Sequence, residues 1–192
     1  YDMVHLSKYI FLSRPRRFGK SLLASTLEAY FQGRKDLFRG LAIEGLESDW
    51  TEYQVMRFDM SLARGRTVQE VESNIDTILL GRYEKLYGLD AKGSLKSRLT
   101  GLIRTASDRT GKDVVVIVDE YDAPLLDMQF SEELPGAREV LKDFYLPLKA
   151  ESDRLRFVFI TGITKFSQLS IFSTLNNLTD ISLLPQYAAL CG

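Results

Sequence analysis

Cysteine and histidine are almost absent from this sequence of 192 residues, which has one of each, Cys191 and His5. A lone cysteine cannot build a disulfide framework, and the two residues together cannot form a Cys/His zinc site. His5 has no nucleophile motif beside it, so we do not expect a Ser-His-Asp or Cys-His triad. This cysteine usage indicates a reduced, cytoplasmic protein.

The sequence also lacks a long apolar run and an excess of charge of either sign. No run approaches the roughly 20 apolar residues that cross a bilayer, so we expect a soluble chain without a membrane partner. Lys and Arg total 25 against 26 for Asp and Glu, a formal net charge of -1. No overall positive field therefore favours nucleic acid or an anionic membrane, and any basic site must be local.

The apolar content that is present suffices for a substantial core, because 45% of the residues are hydrophobic and 11% aromatic. We expect one globular domain over residues 1–192. The sequence begins without an initiator methionine and ends at "YAALCG". We therefore expect it to be a segment of a longer protein.

Short apolar runs that predict buried strands alternate with segments of helical periodicity. This alternation predicts an α/β fold of three layers, with a parallel sheet and helices on both faces. Helical segments are predicted from Ser21 to Gly33, from Thr67 to Gly88, from Leu95 to Ala106 and from Ala137 to Phe144. The predicted strands are Lys8–Leu12, Tyr53–Met60, Val114–Glu120, Leu155–Gly162 and a short last strand near Asp180.

The longest predicted helix begins at Thr67 and Glu70, which match a capping box. Its apolar residues recur at helical spacing, so we expect one continuous amphipathic helix with a single stripe facing the core. The stripe consists of Val68, Val71, Ile75, Ile78, Leu79 and Leu86.

The segment "FLSRPRRFGKS", residues 11–21, ends like a phosphate-binding loop. Gly19 lets the backbone approach a phosphate, and the start of the following helix offers unpaired N–H groups. Lys20, expected to be an exposed loop lysine, can reach the outer phosphates, and the Ser21 hydroxyl can bind magnesium. We expect the nucleotide to contact Arg14, Arg16, Arg17, Phe18, Gly19, Lys20, Ser21 and Leu22.

Arginine stands where the first glycine of such a loop is expected, at Arg14, and Arg16 and Arg17 follow it. A solvated basic turn that serves solubility is one interpretation of these residues. The other is that guanidiniums beside a stiff turn at Pro15 supply anion donors in place of glycine backbone. On that interpretation the loop is altered but still binds phosphate.

The segment "VVVIVDE", residues 114–120, predicts a central buried strand that ends in two acids. Asp119 is placed to bind magnesium, and Glu120 to orient and deprotonate a water molecule. In a parallel sheet both acids would lie at the same edge as the loop. Three other acids near strand ends are interpreted as caps or surface charges: Asp59, Asp122 and Asp180.

A third polar segment, "FITGIT", ends the strand Leu155–Gly162. Thr161 or Thr164 can contact the γ-phosphate or the attacking water, which makes Thr161 a candidate catalytic residue beside Lys20 and Glu120. The alternative is that a threonine caps the next turn.

The chain resembles the predicted AAA-ATPase-like family of bacterial proteins, a branch of the P-loop NTPases. The resemblance rests on "SRPRRFGKSLL", "VDEYDAP" and "TGITKFSQLSIFSTLNNLTDISL", and it spans nearly the whole chain. It implies an extra strand between the two phosphate-site motifs. It also implies that Lys20 and Ser21 bind phosphate and Mg²⁺, that Asp119 binds Mg²⁺ and that Glu120 activates water. Relatives often continue into a region similar to PD-(D/E)xK nucleases.

Three functions are compared on this basis. The first is Mg²⁺-dependent ATP hydrolysis that drives or regulates an attached or partner domain, in a chain that can form a homo-oligomer. The second is a switch or scaffold that binds ATP with little hydrolysis, because the sequence assigns no arginine finger. The third, a nucleic-acid-binding module, is disfavoured by the near-neutral charge. The resemblance favours ATP, whereas the residues leave ATP and GTP open.

Overall fold

A computed structural model describes residues 1–90, 92–163 and 178–190. Its strands form a parallel sheet in the order β2-β3-β4-β1-β5. The fold is therefore the predicted α/β class, and β4 lies between β1 and β3 as the extra strand of the family resemblance. The strands are β1 (Tyr9–Ser13), β2 (Gln54–Asp59), β3 (Val114–Asp119), β4 (Leu155–Gly162) and β5 (Leu178–Asp180).

Helices cover both faces of the sheet and complete the three layers. They are α1 (Asp2–Leu6), α2 (Lys20–Phe31), α3 (Ile43–Leu46), α4 (Val68–Asn74), α5 (Gly81–Tyr87), α6 (Leu95–Thr110), α7 (Ala123–Leu126), α8 (Leu134–Tyr145) and α9 (Pro147–Ala150). Short 3₁₀ turns lie at Lys35–Phe38, Met60–Ala63, Ser152–Arg154 and Pro185–Tyr187. Within the described ranges no helix is both long and apolar enough to cross a membrane.

The core is divided between the two faces of the sheet, because successive strand residues point to opposite sides. In β3, Val114, Val116 and Val118 pack toward the layer that contains α4 to α6 and α8. Val115 and Ile117 pack toward α1 and α2. A strand buried on both faces has to be apolar throughout, which is why β3 reads as an unbroken β-branched run.

Most predicted boundaries agree with the structure within two residues. The predicted strand Leu155–Gly162 is confirmed to the residue. β3 ends one residue earlier than predicted because Glu120 takes a left-handed backbone conformation. The last strand stops at Asp180, whose carboxylate accepts a hydrogen bond from the Ser182 N–H at 2.8 Å and turns the chain.

The long helix predicted from Thr67 to Gly88 is helical throughout but not of one type. Thr67 caps it as predicted, with its hydroxyl accepting from the Glu70 N–H, and Gly88 ends it. Between α4 and α5, however, a π-helical turn spans Ile75–Leu80. A π turn takes more residues than an α turn, so the face that follows is rotated. The predicted stripe is therefore wrong at Ile78 and Leu86, which are exposed.

Tyr83 of α5 protects the free edge of the sheet at β2. Its hydroxyl accepts a hydrogen bond from the Arg57 N–H at 2.6 Å and donates one to the Arg57 carbonyl at 3.0 Å. Both backbone groups belong to an edge strand and would otherwise need another partner. Burial raises the pKa of the Tyr83 hydroxyl, so the group remains a donor at physiological pH.

We expect Tyr83→Phe to lower the free energy of unfolding by about 1–3 kcal/mol, because it leaves the Arg57 N–H and carbonyl without this partner. Urea denaturation measures the loss. Tyr87→Phe is the matched control, since among the described residues the Tyr87 hydroxyl hydrogen-bonds to the Gln54 side chain, at 2.9 Å, and to no backbone group. We expect a smaller effect. Equal losses in the two variants would show that the backbone contacts are not what Tyr83 contributes.

Candidate nucleotide site

The three polar segments singled out in the sequence meet at the carboxyl ends of β1, β3 and β4. Leu12 pairs with Thr161, and Ser13 with Gly162, so the loop after β1 starts beside the end of β4. β3 lies on the other side of β4, with Val118 opposite Ile160. The order of the strands therefore places Thr161 between the loop and Asp119. This edge is where parallel α/β sheets bind ligands.

The loop between β1 and α2 comprises residues 14–19. Two of its residues have a left-handed backbone conformation, Arg17 with φ 67° and Gly19 with φ 77°. A Cβ at position 19 would meet nothing within 4 Å, so backbone conformation alone favours glycine there. Gly19 is also the N-cap of α2, and no side chain of the described residues caps this helix. The first N–H groups of α2 are thus available to an anion, at the positive end of the helix dipole.

Lys20 is buried, with 5% of its surface exposed, so the expectation of an exposed loop lysine is wrong. Its ammonium donates to the carbonyls of Arg14 at 3.0 Å and Pro15 at 2.8 Å. The loop folds over the ammonium, and its carbonyl oxygens accept the hydrogen bonds that a buried charge requires. Lys20 is therefore held inside the loop, at the start of α2.

The three arginines of the loop take two different orientations. Arg14 donates to the carbonyls of Ser13, Ser182 and Tyr187, so it joins the loop to the segment that follows β5. Arg16 and Arg17 lie exposed on the turn. The two apolar residues beside the lysine, Phe18 and Leu22, are exposed as well.

Asp119 and Thr161 carry buried polar atoms that are unsatisfied. Asp119 is 1% exposed and Thr161 is fully buried. Neither Asp119 Oδ1 nor Thr161 Oγ1 has a hydrogen-bond partner in the described part of the chain. Because buried polar atoms are nearly always paired, two such atoms at adjacent strand ends mark a place for a ligand or its water. The Thr161 hydroxyl does not cap a turn among the described residues.

These residues fit a magnesium ion that is bound together with phosphate. Mg²⁺ is usually held by one or two protein oxygens, with waters and phosphates completing its coordination. Ser21, exposed on the first turn of α2, and the unpaired oxygen of Asp119 provide such a pair. Among the described residues no group of three or more His, Cys, Asp or Glu side chains could hold a metal by itself.

Glu120 follows Asp119 in a strained conformation, with φ 52°. A left-handed conformation is unfavourable for glutamate, and residues of this kind concentrate at functional sites. Two hydrogen bonds fix the turn: the Tyr121 N–H donates to the Thr161 carbonyl, and the Ala123 N–H donates to the Glu120 carbonyl, both at 2.9 Å. The Glu120 side chain is only partly buried, so its carboxylate is accessible to water.

Behind this turn, Asp122 connects β3 to β4. Asp122 is 1% exposed and its carboxylate accepts from the Ile163 N–H at 3.1 Å. The interpretation as a surface charge is therefore wrong, whereas the interpretation as a cap agrees with its N-cap position before α7. The same interpretation is confirmed for Asp59, which accepts from the Ser61 N–H at 3.0 Å. A Cβ on Gly162 would lie 2.4 Å from the Tyr121 ring and 2.7 Å from Asp122 Oδ1. Glycine at 162 therefore lets "VDEYD" pack against the end of β4.

Tyr145 of α8 stabilises the turn that contains Glu120 and Tyr121. Its hydroxyl donates to the Tyr121 carbonyl at 3.3 Å. Complete burial raises the pKa of Tyr145 well above its ordinary value, with the neighbouring Tyr121 and Asp122 adding to the shift. The hydroxyl therefore stays protonated and continues to donate.

The sequence did not single out Arg57, which lies among these residues on β2. Its guanidinium is 3.6 Å from Asp119 Oδ2 and 3.2 Å from Glu28 Oε2. The available signal was a charged residue between two apolar ones, Met56 and Phe58, within a predicted strand. Thr164, Cys191 and most of the family motif after Gly162 lie outside the described residues.

Comparison with known proteins gives one family and one curated relative. A family model described as "Predicted AAA-ATPase" matches residues 1–172. An "Uncharacterized protein in vnfD 5'region" of Azotobacter chroococcum mcd 1 is 39% identical over 195 residues. The alignment covers 100% of this chain and 37% of that protein, so the chain spans little more than a third of its relative's length.

Two solved structures share the general arrangement of the chain. One is "Structure of Drosophila ORC bound to GC-rich DNA and Cdc6", with a TM-score of 0.47 and 16% identity, covering 94% of this chain and 26% of the other. The second is the same assembly on poly(dA/dT) DNA, with a TM-score of 0.45 and 15% identity, covering 94% and 27%. Likeness at this level supports no inference about function.

Proposed function

This chain belongs to the predicted AAA-ATPase family, and we propose that it binds ATP with Mg²⁺ at the carboxyl ends of β1, β3 and β4 and hydrolyses it. One observation carries the proposal. The uncapped N-terminus of α2, with Lys20 beside it, faces the same sheet edge as the two buried unpaired oxygens of Asp119 and Thr161. Anion donors and metal-binding oxygens together suit a magnesium nucleotide.

Each group has a separate task in this proposal. Lys20 and the N–H groups of α2 bind the phosphates, while the Ser21 hydroxyl and Asp119 would hold the metal. When bound, Mg²⁺ neutralises phosphate charge and fixes the orientation of the β- and γ-phosphates. The oxygen of the attacking water bonds to the γ-phosphorus as the bond between that phosphorus and the bridging oxygen breaks. Glu120 accepts a proton from this water, and ADP and inorganic phosphate are released. Thr161 donates to the γ-phosphate or the water.

The remaining loop residues complete the nucleotide contacts. Arg16 and Arg17 are free to turn toward the phosphates, because both are exposed beside the start of α2. Phe18 and Leu22 offer exposed apolar surface to the nucleotide. Arg14 acts indirectly, by holding the loop against the segment after β5.

A switch that binds ATP with little hydrolysis is the second candidate function. It is favoured by the state of two arginines near the loop, since Arg14 is bonded to carbonyls and Arg57 is paired with carboxylates. Fast hydrolysis would then need another arginine at the γ-phosphate, from the exposed Arg16 or Arg17, a second copy or a partner. Such an arginine is worth about 10³–10⁵ in rate. In both cases the chain regulates or drives an attached or partner domain. The single cysteine supports a cytoplasmic location.

Equilibrium binding of a fluorescent ATP analogue, with Mg²⁺ and with EDTA, tests the proposal alongside steady-state phosphate release. We expect Mg²⁺-dependent binding, with ATP competing better than GTP. Absence of binding would refute the site. Binding without phosphate release above buffer, in this chain and in the longer protein, would establish the switch.

A further inference from the structure

We propose that Arg57 is a positioning residue of the metal site, which holds Asp119 by one oxygen so that the other faces the ligand. This inference rests on the proposed function above, because it concerns how the chain prepares Asp119 for Mg²⁺. Arg57 belongs to β2, whereas the phosphate loop follows β1 and the acid ends β3. It is therefore a residue that neither phosphate-site motif includes.

The contacts of Arg57 distinguish the two oxygens of Asp119. Arg57 Nη2 lies 3.6 Å from Oδ2, which is an ion pair at a distance too long for a hydrogen bond. Oδ1 has no partner within the described residues. The side chain of Asp119 is 2% exposed, so water cannot replace the guanidinium as its counter-charge. The pairing thus leaves Oδ1 as the oxygen of Asp119 that has no partner among the described residues.

Arg57 also connects Asp119 to the helix that carries the phosphate-binding residues. Its Nη1 donates to Glu28 Oε2 at 3.2 Å, and its Nη2 donates to the Ser21 carbonyl at 3.5 Å. Ser21 and Glu28 both belong to α2, which begins at Lys20. One guanidinium thus contacts both the helix that carries Ser21 and the acid that would hold the metal.

The approach direction argues against direct contact with the nucleotide. Arg57 pairs with Ile117 in the sheet, two residues before Asp119. Its side chain therefore reaches Asp119 from a position two residues before the carboxyl end of the strand. Within α2 it contacts the Ser21 carbonyl, not the N-terminal N–H groups. Its backbone is fixed by the Tyr83 hydroxyl. These constraints place it behind the metal site.

A cavity of about 400 Å³ beside β2 supplies a matched control, because both Arg57 and Arg82 line it. Arg82 stacks over the Tyr83 ring at 4.8 Å and donates to its hydroxyl at 3.0 Å. Arg82→Gln removes the same charge from the same cavity. Arg82 itself makes no ion pair with Asp119 in the described part of the chain.

The test is a Mg²⁺ titration of fluorescent ATP-analogue binding in wild type, Arg57→Gln, Arg57→Lys and Arg82→Gln. Loss of a partner that orients a metal ligand typically costs 10–100-fold in metal affinity. We expect Arg57→Gln to require at least about 10-fold more Mg²⁺ than wild type to reach half of the Mg²⁺-dependent increase in nucleotide binding. Its nucleotide affinity in EDTA should equal that of wild type. Arg57→Lys, which keeps the charge, should recover part of the loss, and Arg82→Gln should match wild type.

Two outcomes would overturn the inference while the proposed function stands. An unchanged or lower Mg²⁺ requirement in Arg57→Gln would make Arg57 a bystander or a competitor of the metal. Weaker nucleotide binding in EDTA would make it a direct phosphate ligand. A wild-type protein that binds no nucleotide under either condition would instead refute the proposed function and the inference with it. Thermal unfolding shows whether each variant is folded. If Arg57→Gln is not folded, Arg57→Lys still tests the inference.

Discussion

Glu120→Gln is expected to reduce ATP hydrolysis by about 10²–10⁴-fold, the usual contribution of a positioned general base, while ATP affinity is kept or raised. Glutamine has nearly the same shape and retains a hydrogen-bonding side chain, but it cannot accept the proton of the attacking water. Because Glu120 is partly exposed and makes its described hydrogen bond through its backbone carbonyl, the substitution should not disturb the turn. Steady-state phosphate release and equilibrium ATP binding measure the two effects separately.

Glu132→Gln is the matched control, since it neutralises an exposed glutamate in the segment before α8. It should leave both measurements unchanged. If Glu120→Gln hydrolyses ATP as fast as wild type, the base lies elsewhere. Asp122 would be the next acid to test, although its carboxylate is buried and already accepts from the Ile163 N–H.

Local patterns in the sequence were sufficient for the fold. β4 was predicted to the residue, because an apolar run that ends at Gly162 needs no distant information to be recognised. The loop before α2 and the acid after β3 were placed at one sheet edge by the rule that parallel strands share their carboxyl ends. Thr67 was recognised as a cap because capping depends on neighbours three residues away.

What the sequence could not provide depends on contacts between distant segments. The π turn at Ile75–Leu80 rotates the helix face, so Ile78 and Leu86 are exposed although their spacing fits a core stripe. Helical periodicity assumes a constant turn and cannot reveal this insertion. Asp122 is buried and accepts from the Ile163 N–H, just beyond β4, whereas an acid after a strand also suggests a surface charge.

Arg57 shows the same limit within the candidate site. Its role depends on Glu28 and Asp119, which reach it from another helix and another strand. A lone arginine in a strand gives no indication of such partners. Lys20 was identified from its motif, but its burial follows from the loop carbonyls that curl around it. The burial of Lys20 and the pairing of Arg57 therefore depend on contacts that residue identity does not reveal.

Lys20→Ala is expected to weaken ATP binding by about 10²-fold or more. The loop itself holds the ammonium at the start of α2, with two acceptors, the carbonyls of Arg14 and Pro15, at 3.0 and 2.8 Å. A hydrogen bond to a charged group contributes about 1.5–3 kcal/mol, and two such bonds to phosphate oxygens account for a change of this size because about 1.4 kcal/mol corresponds to tenfold in affinity. Equilibrium binding of a fluorescent ATP analogue measures it.

The burial of Lys20 determines how this variant must be controlled. Alanine leaves the carbonyls of Arg14 and Pro15 without their donor, so the loop itself can rearrange. Both residues are at least partly exposed, and water can satisfy these carbonyls, so we expect thermal unfolding to change little. Lys96→Ala, which removes an exposed lysine of α6, controls for the loss of one positive charge and should bind ATP like wild type. A folded Lys20→Ala protein with wild-type affinity would show that the ammonium stays on the loop carbonyls when nucleotide is present, and the phosphate site would then have to be sought away from α2.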